Sequence, residues 1–184
     1  MDELGDATTV AHTRSDIELW TRCRSRVEGL DLPEPFSAER FIEDLARKRG
    51  RPIDLLPVAA RPDLPCGLVV TTRDADYIVY RADTTALHRQ HILLHEAAHV
   101  LCGHSEREGE GTATAAAARS LMPHLPAELV HSVLGRTVYG EPDEREAELV
   151  ASLLLRRAAR RERGGRGGPG RDAGPDATFG VFVR

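Results

Sequence analysis

With 184 residues, 41% of them hydrophobic and 29% charged, the chain has material for one globular core, and no run approaches the roughly 18 consecutive apolar residues of a membrane-spanning helix. Three cysteines, Cys23, Cys66 and Cys102, are odd in number, far apart and never CxxC, which excludes a disulfide framework or a cysteine zinc knuckle; with no basic-then-apolar leader in Met1 to Ser15, a reduced cytoplasmic protein is expected. The net charge of -4 divides unevenly, with 17 basic and 26 acidic groups in residues 1–155 against 8 and 3 in residues 156–184; an acidic body lacks the clustered positive surface that phosphates need, so no direct specific nucleic-acid binding is expected.

In chain order, residues 1–14 read as a flexible N-terminus. Residues 15–29 then space Ile17, Trp20, Cys23 and Val27 at helical intervals, with Ser15 or Asp16 as the N-cap. Pro33 and Pro35 mark a connection, after which Ser37 caps a helix that buries Phe41, Ile42 and Leu45 and stops at Gly50. The periodicity then changes: Ile53 to Val58, Cys66 to Thr72 and Tyr77 to Ala82 are rich in β-branched and aromatic residues, and the last two flank a hairpin loop. A three-stranded antiparallel sheet is the simplest reading. Thr84 or Thr85 caps the next helix, which Gly103 ends; Pro126 opens a short helix to Gly135; and a final helix begins near Pro142. The Gly/Arg/Pro-rich stretch beyond it cannot bury enough apolar surface to order itself. The expected organisation is a single domain over residues 15–160 with a disordered tail over 161–184. Its fold class is α+β: helices packed on the small sheet, with one zincin-like helix and a downstream helix bearing a glutamate.

Five of the eight histidines lie between His88 and His104. Within that helix, His95-Glu96-Ala97-Ala98-His99 is an HExxH arrangement. Side chains at i and i+4 lie about 40° apart on a helix, so both imidazoles point at one spot and can share a tetrahedral zinc ion. Glu96, about 100° round, stands beside that spot, where a general base must be. His88, His91 and Cys102 share the same face, and His91 with His95 is a competing i,i+4 pair; it has Ile92 where a base would stand, which favours His95 with His99.

Two histidines do not complete a site. The pattern HExxHxxGxxH is excluded, because Cys102 and Ser105 occupy its last two defined positions. His104 follows the helix-ending Gly103 and is expected to be turned away. On the final helix, Ala147, Ala151, Leu154, Leu155 and Ala158 form an apolar stripe, and Glu144 falls within about 20° of its centre. A carboxylate there is costly unless paired or metal-bound; the other reading is a wet first-turn residue favoured by the helix dipole. Glu148 lies near the same face and Glu146 points away. Tyr139, His131, His124 and Tyr80 are candidate oxyanion donors, and the strand from Tyr77, if it lies at an edge, can pair with an extended substrate.

The segment Leu93-Leu94-His95-Glu96-Ala97-Ala98-His99-Val100-Leu101, followed by Glu144-Arg-Glu-Ala147-Glu148 leading into an Ala/Leu helix, resembles the ImmA/IrrE family of metallo-endopeptidases over about residues 37 to 157. The resemblance implies a bacterial, zinc-dependent, gluzincin-type protein. It implies His95, His99 and Glu144 as metal ligands, Glu96 as the catalytic base, Zn2+ as cofactor, and a helix-turn-helix repressor as substrate or partner. A non-proteolytic zinc-binding module paired with a transcription regulator is the alternative. Ala98 stands where the family usually has Gly, Glu148 where Asn or Asp is common, and His91 where Phe is common.

Overall fold

A computed structural model of the chain describes residues 4–60, 65–104, 130–135 and 140–166, with side chains from residue 14 onward except in 130–135 and 165–166. Helix α1 spans Leu4–Glu28 and α2 spans Ala38–Arg49. Strands β1 (Ile53–Val58), β2 (Gly67–Thr72) and β3 (Asp76–Arg81) precede α3 (Ala86–Leu101), strand β4 (Val130–Gly135) and the long helix α4 (Glu141–Arg166). The caps follow from local chemistry. Ser37 is extended and its side chain accepts from the Arg40 N–H, while Gly50 closes α2 at φ 67°, a left-handed conformation that glycine adopts without a steric penalty. Thr85 caps α3 by accepting from the His88 N–H. Helix α1 starts earlier than the spacing from Ser15 predicts, and among its described side chains Cys23 and Val27 are in the core, whereas Ile17 is 63% exposed and Trp20 lies under the Arg24 guanidinium.

The chain is α+β, but among the described residues the sheet has four strands and is mixed, in the order β1-β3-β2-β4. This corrects the expectation of three antiparallel strands. β1 runs parallel to β3, with Ile53 opposite Asp76, and β2 runs antiparallel to both β3 and β4. Two features explain the order. β2 is buried along nearly its whole length, as an interior strand must be, whereas β1 carries Pro57, which has no N–H to give to a second neighbour and suits an edge. The expected helix ending at Gly135 is also corrected, because Val130–Gly135 is a strand against β2 with Val70 opposite Val133. The unpaired side of β2 offers backbone partners that outweigh the local helical spacing of that segment. β3 is flanked on both sides and is therefore not an edge available to an extended substrate. The β2–β3 turn is tied by Thr72, whose Oγ accepts from the Ala75 N–H, and the buried Asp76 is held by Arg49 and Arg51 at 2.8 and 3.1 Å.

One sheet face, carrying Ile53, Val69 and Ile78, joins the main core with residues of the four described helices, while Leu68, Val70 and Val79 form a smaller cluster on the other face. α3 runs through the centre. Its residues from Ile92 to Val100 are all buried, so the helix has no solvent face there and each polar group on it must be satisfied internally. Small residues allow α4 to pack against it: Ala97 and Ala98 on α3 and Ala147 and Ala151 on α4 are fully buried. The predicted stripe on α4 is thus the packed face, and Glu144 lies one turn before its start. No helix among the described residues is long and apolar enough to cross a membrane.

Candidate metal centre

The buried middle of α3 and the first turns of α4 bring His95, His99 and Glu144 together. His95 Nε2 and His99 Nε2 are 3.2 Å apart; Glu144 Oε2 is 3.3 Å from the first and Glu144 Oε1 is 3.9 Å from the second. Ligand atoms at about 2.0–2.1 Å from a tetrahedral zinc are separated by about 3.3–3.4 Å, close to the first two of these distances. The third is longer and runs to the other oxygen of the same carboxylate. Glu144 Oε1 is buried and makes no hydrogen bond, which is costly for a carboxylate oxygen unless a cation takes the place. These residues therefore fit a metal ion.

Each ring is held from behind. His95 Nδ1 faces Glu148 Oε2 at 3.4 Å, and His99 Nδ1 lies 3.0 Å from His104 Nδ1. Both histidines thus present Nε2 to the same point, with an outer partner on the other nitrogen. Although Glu148 is longer than the Asn or Asp common in the ImmA/IrrE pattern, it reaches this outer position, and it also receives His91 Nε2 at 3.1 Å. The i,i+4 competitor is resolved in those terms: His91, His95 and Glu148 form a second group of possible ligands, but one that uses the Nδ1 side of His95, away from His99. His88 is exposed and bonded to Thr84.

The electrostatics of the two rings differ. Burial opposes charge on His95, but Glu144, Glu148 and Glu96 outweigh it and raise its pKa from 6.5 to about 9. Burial, reinforced by His95 and His104, lowers that of His99 to about 2, so His99 is a neutral donor at any physiological pH. The proximity of His91 and His95 holds Glu148 well below the usual carboxylate range.

Glu96 is 4% exposed and packs beneath β2, where a Cβ on Gly67 would lie 2.5 Å from Glu96 Oε1. The glycine makes room for the carboxylate next to the ligand pair, a role that no sequence pattern around Gly67 announces. Cys102 is directed to α1, with Arg26 Nη1 donating to its Sγ at 2.8 Å, and burial pushes the thiol up to about 11. It belongs with His104 and Glu146 to a third group of possible ligands, although a guanidinium already supplies the positive charge there. His104, expected to be turned away beyond Gly103, and Glu146, which lies off the apolar stripe of α4, are both buried, and His104 lies beside His99. Among the proposed oxyanion donors Tyr80 packs against the core, while Tyr139, His124 and the His131 side chain lie outside the described residues, as do 105–129 and the chain beyond 166. Compared with protein-family models, curated proteins and solved structures, the chain matches none.

Proposed function

We propose that this protein is a zinc-dependent metallo-endopeptidase of the gluzincin type, similar to the ImmA/IrrE family, whose substrate is a helix-turn-helix transcriptional repressor. The observation that carries the reading is the convergence of His95 Nε2, His99 Nε2 and the Glu144 carboxylate at nearly tetrahedral spacing, with Glu96 adjoining the first ligand in sequence. When bound, zinc would supply a Lewis acid that polarises the scissile carbonyl and lowers the pKa of water. His95, His99 and Glu144 hold it. Burial of Glu96 beneath β2 keeps bulk water from its carboxylate, so a proton it takes is not lost to solvent. In the proposed reaction Glu96 takes a proton from the attacking water at a carboxylate oxygen and passes it to the leaving amine nitrogen.

Metal analysis and cleavage assays test the reading together. The purified chain is expected to hold one zinc per molecule, His95→Ala to lose it, and Glu96→Gln to keep it while losing cleavage of a helix-turn-helix repressor offered as substrate. Stoichiometric zinc persisting in His95→Ala refutes the ligand assignment. Zinc retained in every active form, with Glu96→Gln regulating as well as wild type, assigns the centre to a binding module instead.

A further inference from the structure

We infer that His104 is a positioning residue that fixes the tautomer of His99, and that through Glu146 it ties the metal centre to the N-terminal helix. The inference rests on the metal-centre reading for its consequence, though not for its geometry. The αL turn at Gly103, φ 71°, ends α3 and folds the chain back so that His104 returns to the helix it has just left. The two Nδ1 atoms of His99 and His104, both on buried rings, are then 3.0 Å apart. Two imidazoles in that arrangement share one proton: one nitrogen donates and the other accepts.

The far side of His104 decides which. Its Nε2 lies 3.5 Å from both Asp143 Oδ1 and Glu146 Oε2. Ionised carboxylates only accept, so they select the His104 tautomer with its proton on Nε2. His104 Nδ1 is then left as a lone pair, His99 Nδ1 must carry the proton that fills it, and His99 Nε2 is free to donate its own lone pair towards His95 and Glu144. The reverse assignment would aim a lone pair of His104 at two carboxylates and leave a proton on the nitrogen that faces the metal position. The carboxylate itself is fixed: Glu146 is 7% exposed and is held by Arg22 Nε at 3.2 Å and Arg26 Nη1 at 2.9 Å. The sequence of contacts thus runs from Arg22 and Arg26 on α1, through Glu146 on α4 and His104, to His99 on α3. Because Arg26 already bonds both Cys102 Sγ and Glu146 Oε1, this cluster has its cation and serves the neighbouring centre rather than binding a second metal.

The test uses the full chain with specifically labelled histidine. A long-range proton–nitrogen correlation spectrum of the metal-free protein is expected to show His99 protonated at Nδ1. In His104→Phe that preference is lost, and zinc affinity, measured by competition with a chromophoric chelator, falls by about 10–100-fold. His104→Asn, whose amide oxygen can take the place of the Nδ1 acceptor, keeps the tautomer and restores most of the affinity, which a merely space-filling role would not predict. Should His104→Phe fail to fold, the double variant Asp143→Asn with Glu146→Gln removes both acceptor-only carboxylates from the far end and must loosen the same tautomer. Wild-type His99 protonated at Nε2, or a folded His104→Phe with wild-type zinc affinity, overturns the inference. A wild-type chain that takes up no zinc overturns the metal-centre reading instead, and the tautomer still decides the assignment of His104.

Discussion

Replacing Gly67 by alanine probes how tightly β2 presses on the α3 glutamate. The added Cβ would lie 2.5 Å from Glu96 Oε1, 2.7 Å from Ile92 Cγ2 and 2.9 Å from Glu96 Cγ, all inside the 3.4 Å at which ordinary contact begins. Ile92 and Glu96 are buried at 5% and 4% exposure, so neither side chain can swing into solvent and the strand and helix must part. Overpacking of this kind costs about 1–3 kcal/mol, and for a chain of this size each kcal/mol lowers Tm by about 2–4 °C. Glu96→Ala removes two of the three close contacts. In that background Gly67→Ala should cost less than about 1 kcal/mol, leaving a coupling of about 1–2 kcal/mol between the sites. Urea denaturation of the four metal-free proteins, followed by circular dichroism in a chelator, measures the cycle. A cost that is the same in both backgrounds, or a Gly67→Ala protein within about 0.5 kcal/mol of wild type, refutes the close approach of β2 to Glu96.

The pH dependence of the metal-free protein has a defined sign. His95, raised from 6.5 to about 9, contributes stability that is fully present below pH 6.5 and lost as pH rises to 9, on the order of 3 kcal/mol. His99, lowered to about 2, stays neutral in the fold while its unfolded counterpart protonates, so stability also falls below pH 6.5; denaturation in chelator should show a maximum near that pH, and a steady rise from 6.5 to 9 would refute the His95 environment. Because zinc must displace the His95 proton, its affinity should rise about tenfold per pH unit across the same interval, as chelator competition would show. Glu144→Ala should weaken zinc by more than about 100-fold and Glu148→Ala by about 10–100-fold, the range for outer partners; equal losses would reverse their assigned positions. Away from the centre, Asp76→Ala removes the buried carboxylate that Arg49 and Arg51 share, and because those guanidiniums are partly exposed and Arg51 keeps its backbone carbonyl partners the loss should sit at the lower end, about 3 kcal/mol by urea denaturation.

The local elements were legible because local chemistry specifies them. Ser37 and Gly50 bound α2, and Thr85 starts α3, at the predicted places. The stripe containing Ala147, Ala151 and Leu154 is the buried face of α4, as its 3.6-residue period requires. Strand order was not legible to the same degree. Nothing near Val130–Gly135 indicated that β2 would recruit it as a fourth strand, because strand pairing joins residues far apart in the chain.

At the candidate site, sequence by itself determined that His95 and His99 share a helix face and that Glu96 stands beside them, since the spacing of side chains along a helix is fixed by its 3.6-residue turn. Only the tertiary structure decided that Glu144 reaches that face, that Glu148 and His104 back the two rings, and that Gly67 accommodates the carboxylate of Glu96. A helical wheel carries no information about what lies opposite it. Glu146 shows the consequence: it points off the α3-facing stripe, yet it is buried because α1 brings Arg22 and Arg26 to that side of α4. The docking of α1 supplies the charges, and a buried carboxylate persists only where such charges are supplied.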